Sequence, residues 1–157
     1  MQKISTFLWF DDRAEEAATF YTSLFPDSRI TRVTRHGRAG PGPAGSVMTV
    51  DFELAGREYV ALNGGPVFTF TEAVSLQVEC EDQQEVDRLW AGLTADGGEP
   101  GPCGWLKDRF GLSWQITPKV LLDLVGGEDR AAADRVTAAM LRMGKLDIRS
   151  LLDAARG

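Results

Sequence analysis

One histidine, His36, and two cysteines, Cys80 and Cys103, are all the imidazole and thiol chemistry this chain holds. A lone histidine excludes a His-rich metal site and any mechanism needing a second His. The cysteines lack CxxC spacing and make no disulfide framework, so a reduced compartment is expected. A nucleophilic Cys103 would need Lys107 or Arg109 to lower its pKa. What remains is a set of hydroxyl and amide side chains in alternating segments. Thr6, Ser75, Gln77, Ser113 and Gln115, with Leu8 of the same parity, are expected on one concave sheet face. Phe7, Trp9, Leu76, Val78, Trp114 and Ile116 then face the helices. Such a face orients a small polar or aromatic molecule through neutral hydrogen bonds, or closes into a polar core whose groups satisfy one another. Trp105 offers an aromatic wall. Asn63, just before Gly64-Gly65, either presents its amide to a ligand or ties down the turn. Asp108 and Arg109 read as an exposed ion pair at a turn. His36 reads as a surface residue beside a Gly- and Pro-rich loop that could serve as a lid.

The elements that must carry these residues follow from periodicity. Ile4 to Phe10 is an apolar run typical of a buried strand. Asp11 or Asp12 can cap a helix in which Ala14, Ala17, Ala18, Tyr21, Leu24 and Phe25 recur at helical spacing, and Pro26 stops it. Ser28 to Arg35 and Ser46 to Leu54 alternate as strands, with GRAGPGPAG between them as a loop. Ala55-Gly56 turns the second of these into Arg57 to Asn63. Gly64-Gly65-Pro66 breaks the pattern and a second cycle starts. It comprises strand Ala73 to Cys80, helix Asp82 to Thr94, and a hairpin from Gly101 to Lys107 and from Leu112 to Thr117. Aligned without gaps, Thr6-Phe7-Leu8-Trp9 meets Ser75-Leu76-Gln77-Val78, and Leu24 meets Leu93. The chain is therefore read as α+β, with two βαβββ modules: module 1 about 1–65 and a trimmed module 2 about 66–118. Two half-barrel sheets of this kind are expected to enclose a ligand cleft between them. The remainder, 119–157, is a helical tail. Its Val136, Met140 and Met143 stripe reads as a docking surface, over the cleft or between subunits.

Composition narrows the function classes. The chain has 157 residues, a net charge of −6 and 43% hydrophobic residues, which suits one folded domain and not a disordered chain. No Lys/Arg run marks a nucleic-acid interface; Arg29, Arg32, Arg35 and Arg38 read as a solvated strand face. No apolar run approaches 18 residues, so no membrane partner is expected. The N-terminus lacks a signal-peptide core, and a cytoplasmic location is expected.

Several blocks resemble a known family. FLWFDDRAEEAATFYTSLFPDSRI, ALNGGPVFTFTEAVSLQVECEDQQEVDRLW, CGWLKDRFGLSWQITP and ADRVTAAMLRMGKLDI are similar to the PhnB-like, or 3-demethylubiquinone-9 3-methyltransferase-like, branch of the vicinal oxygen chelate (glyoxalase/bleomycin-resistance/dioxygenase) superfamily. The resemblance implies a glyoxalase-like cupped sheet of paired modules and, from relatives, a homodimer. It places the superfamily's metal-ligand positions on Thr6, Ser75, Gln115 and Tyr59, with Glu58 the alternative to Tyr59. Neutral oxygens suit a transition metal poorly, so no metal and no cofactor are expected. The expected function is metal-independent binding of a small hydrophobic or aromatic molecule, through Thr6, Leu8, Tyr59, Asn63, Ser75, Gln77, Trp105 and Gln115. A metal-dependent isomerase, lyase or dioxygenase is the alternative. Methyl transfer is disfavoured, because the first strand runs into Asp11-Asp12-Arg13 with no Gly-rich turn for a nucleotide-type cofactor.

Overall fold

A computed structural model describes residues 3–157. The chain divides into two compact units, one ending at Thr69 and the other beginning at Phe70. The α+β architecture of two βαβββ modules expected from the repeat is the one observed, with a four-stranded mixed sheet in each unit. Among the described residues no helix is long and apolar enough to cross a membrane.

The first unit contains β1 (Thr6–Phe10), α1 (Ala14–Leu24), β2 (Arg29–Arg35), β3 (Val47–Leu54) and β4 (Arg57–Asn63). The sheet order is β1-β4-β3-β2, with β1 parallel to β4 and the other pairs antiparallel. Alternation in β3 buries Val50, Phe52 and Leu54. Helical spacing buries Ala14, Ala17, Ala18 and Tyr21 against them. The Tyr21 ring lies 6.3 Å from Phe52, which stacks on Tyr59 at 5.6 Å. Each large side chain so buried contributes about 2 kcal/mol. On the outer strand, Arg29 pairs with Glu53 and Arg32 with Asp51, so those arginines form a solvated, neutralised face.

The second unit contains β5 (Ser75–Cys80), α2 (Gln83–Thr94), β6 (Glu99–Pro100), β7 (Trp105–Lys107) and β8 (Ser113–Pro118). The sheet order is β5-β8-β7-β6, with β5 parallel to β8. Asp82 caps α2 by accepting the Glu85 amide N–H at 2.9 Å. Val86, Leu89 and Leu93 of α2 and Leu106, Trp114 and Ile116 of the sheet form the core. The short β6 was not foreseen: Glu99 and Pro100 pair with Lys107 and Leu106.

The tail belongs to this second unit. It forms α3 (Lys119–Val125), α4 (Arg130–Met140, capped by Asp129) and α5 (Ile148–Arg156, capped by Asp147). Leu121, Val136, Leu146 and Leu151 make its own small core, with Met140 and Met143 packed against it. The methionine stripe thus serves the tail's interior, not a docking surface. Backbone bonds tie the tail to the sheet. The Cys103 amide donates to Met143 O and the Gly104 amide to Gly144 O, both at 2.8 Å. Gly104, at φ +83°, has no room for a side chain: a Cβ would lie 2.8 Å from Leu146 Cδ1 and 2.9 Å from Ile116 O.

The gap-free repeat needs one correction. In the first unit Leu8 and Phe10 turn inward, whereas in the second Cys80 ends β5 fully buried. Phe10 therefore corresponds to Cys80, not to Glu79 as the uniform alignment requires. A one-residue slip exchanges the two faces of a strand.

Candidate functional site

The slip divides the expected binding residues by unit. In the first unit, register places Thr6, Leu8 and Phe10 on the same face as Tyr59, Ala61 and Asn63. That face carries Phe52 and packs against α1. Leu8 is only 4% exposed, so it belongs to the core and not to a binding surface. Tyr59 is likewise a core aromatic, its phenol pushed above the ordinary value by burial, against a smaller opposing pull from Arg57. Glu58 lies on the opposite face from Tyr59, beside Glu53. Asn63 ties the fold together: its Oδ1 accepts the Ala14 amide N–H at 2.8 Å, and its Nδ2 donates to Val47 O at 3.2 Å. Neither Asp11 nor Asp12 caps α1; the N-cap residue is Arg13, whose side chain pairs with Glu16 and caps no backbone N–H of the helix.

The residues of opposite parity, Phe7 and Trp9, face away from α1. Trp9 Nε1 donates to Gly65 O at 2.9 Å, and its ring meets Phe68 edge-on at 4.9 Å. Gly64 lies flat on that ring: a Cβ would come within 2.4 Å of it. Trp9 also borders a cavity of about 730 Å³ with Asp11, Asp12, Glu15 and His36. His36 is half-buried there, not a surface residue, and a Cβ on Gly42 would lie 2.5 Å from its ring.

In the second unit the predicted face is assembled as expected. Register pairs Gln77 with Gln115, Trp105 with Gln115, and Ser113 with both Ser75 and Lys107. These side chains share the face opposite Leu106, Trp114 and Ile116, and Gln115 Nε2 donates to Ser75 Oγ at 2.9 Å. Beside them lies a cavity of about 430 Å³. Pro100, Pro102 and Trp105 give it a largely apolar lining, with Cys103, Ser113, Glu72, Glu99 and Lys107. Of the predicted residues, Trp105 lines this cavity, while Ser75, Gln77 and Gln115 occupy the neighbouring part of the same face. Lys107 forms an ion pair with Glu72. The hydrogen bond between them raises the Lys107 ammonium above its usual range and holds the Glu72 carboxyl below its own. Ser113 is 1% exposed, and its Oγ is buried without a hydrogen-bond partner among the described residues.

Asp108 departs from expectation. It is 2% exposed, and its carboxylate accepts from the amides of Phe110 (2.8 Å) and Leu112 (3.1 Å) and from Trp114 Nε1 (2.9 Å). It is a buried organiser of the β7–β8 turn, not half of an exposed ion pair. The only sequence cue was its place three residues before Gly111, whose amide donates to Asp108 O.

The donor chemistry fits a metal poorly. Thr6 and Tyr59 face α1, and Ser75 and Gln115 supply neutral oxygens that hydrogen-bond each other. Among the described residues no group of three or more His, Cys, Asp or Glu is placed to hold a metal ion.

Residues 2–117 match the family model described as 3-demethylubiquinone-9 3-methyltransferase. The tail lies beyond that match, so family similarity is shown for the two modules. A Bacillus cereus structure described as a putative 3-demethylubiquinone-9 3-methyltransferase, PhnB protein, is 40% identical with a TM-score of 0.66, covering 74% of this chain and 99% of that one. A Pseudomonas aeruginosa protein shares the fold at 19% identity and a TM-score of 0.62, covering 76% of this chain and 98% of its own. No curated protein matches the chain significantly.

Proposed function

The chain belongs to the 3-demethylubiquinone-9 3-methyltransferase family, the PhnB-like proteins of glyoxalase fold, and on that premise we propose that it binds a small hydrophobic or aromatic molecule without a metal. The observation that carries this reading is the 430 Å³ cavity of the second unit, with its apolar lining and the Trp105 side chain. That volume lies within the range of small-molecule sites, about 300–1,000 Å³, which combine apolar walls with few polar groups.

Ser75 and Gln115, beside the cavity on the same face, offer only neutral oxygens, which argues against chelation. Methyl transfer is not carried over from the family description. Each sheet is a four-stranded mixed one, and Asp11-Asp12-Arg13 follows β1 where a dinucleotide-type fold needs a glycine turn.

The test is titration with the neutral fluorophore N-phenyl-1-naphthylamine. Saturable binding is expected, unchanged by a chelator and weakened about tenfold or more by Trp105→Ala. A wild-type protein that leaves the probe dark at millimolar concentration sinks the reading. Binding that vanishes with chelator and returns with an added divalent metal moves it to the metal-dependent class. Heat on titration with S-adenosylmethionine would restore methyl transfer.

A further inference from the structure

Resting on that reading, we infer that the cavity of the second unit selects neutral aromatic molecules carrying a hydroxyl group, which Ser113 Oγ binds. Three observations lead there. First, Ser113 lines the cavity, is 1% exposed, and its hydroxyl has no hydrogen-bond partner among the described residues. Buried hydroxyls are almost always satisfied, so an orphan at the wall of a cavity marks where a ligand's polar atom belongs. Its neighbours are already committed: Gln115 to Ser75, Lys107 to Glu72.

Second, the charge at the cavity is unbalanced. Lys107 stands between two carboxylates, Glu72 by ion pair and Glu99 across the β6–β7 ladder. The lining therefore carries one more negative than positive charge. An anionic ligand would have to break the Glu72–Lys107 pair or face an excess carboxylate.

Third, Trp105 and the prolines Pro100 and Pro102 give planar apolar walls, and 430 Å³ admits one or two rings. A hydroxyl group both donates and accepts, as the serine does, so a phenol or naphthol satisfies Ser113 with either polarity.

The experiment compares naphthalene, 2-naphthol and 2-naphthoate at pH 7 as competitors of N-phenyl-1-naphthylamine. On the wild type, 2-naphthol should bind about tenfold tighter than naphthalene, and 2-naphthoate about tenfold or more weaker than 2-naphthol. Ser113→Ala should bring 2-naphthol down to the naphthalene level and leave naphthalene unchanged. The double variant Glu72→Gln, Glu99→Gln should admit 2-naphthoate without altering 2-naphthol. A naphthol preference that survives Ser113→Ala overturns the inference, as does naphthoate binding equal to naphthol on the wild type. In those cases the probe still binds and the broader reading stands. If no neutral probe binds, both fall.

Discussion

Asn63 Oδ1 accepts the backbone N–H of Ala14 at 2.8 Å, a contact between residues 49 positions apart in sequence. A helix normally finds its cap in the residue preceding it, but Arg13 makes no such bond. The last residue of β4 therefore fixes where α1 starts, and its Nδ2 binds β3 at Val47 O. Asn63→Ala should lower stability by about 1–2 kcal/mol. Asn63→Asp, which keeps the acceptor and adds negative charge at the helix N-terminus, should lose less. Denaturant midpoints of the two variants check this; equal losses would mean that the Val47 contact, not the cap, is what matters.

Asp108 supports the second hairpin in a comparable way. Its carboxylate serves three donors in a buried turn, including the indole of Trp114 at the centre of the core. Asp108→Ala strands all three, for an expected loss of about 3 kcal/mol. Asp108→Asn retains one carbonyl acceptor and should fall between. Urea unfolding followed by tryptophan fluorescence reads both, and a loss below about 1 kcal/mol for the alanine variant would contradict the organising role.

Gln83, at the start of α2, holds the tail to the rest of the second unit. Its Nε2 donates to Leu146 O at 3.0 Å, and its Oε1 accepts the Ile148 amide at 2.8 Å. Gln83→Ala should accelerate hydrogen exchange at Ile148 by about tenfold, while amides in β8 keep their protection. Equal acceleration in β8 would show that tail and sheet open as one.

Much of this was legible from residue order, and the failures have physical causes. Period-2 burial in Val50, Phe52 and Leu54 and period-3.6 burial in Ala14, Ala17, Ala18 and Tyr21 fixed strand and helix without ambiguity. The face bearing Ser75, Gln77, Ser113 and Gln115 was readable because Trp114 and Ile116 alternate strongly with polar neighbours. In β1, by contrast, both faces are apolar: Phe7 is 59% exposed yet no more polar than Leu8 at 4%. Parity there rested on a gap-free repeat, which the extra residue between β1 and α1 defeats. Asp108 was misread because turn carboxylates are usually solvated; only tertiary structure brings the Trp114 indole to it. Cavity residues such as Glu99 and Pro100 were missed because a two-residue strand has no periodicity to detect.

Cys80 supplies a pH prediction. Burial, reinforced by the Glu85 carboxylate, pushes its thiol up to about 12. An unfolded cysteine titrates near about 8.5. Below that pH both states are protonated and the residue contributes no pH dependence. Above it the unfolded chain releases a proton that the native chain keeps, so unfolding gains and stability falls as pH rises toward 12. The slope approaches about 1.4 kcal/mol per pH unit. Cys80→Ala should remove that part of the decline between about pH 8.5 and 9.8, before tyrosines titrate. Guanidinium midpoints measured across this window for both proteins decide it. Parallel curves would mean that the Cys80 thiol ionises as readily folded as unfolded.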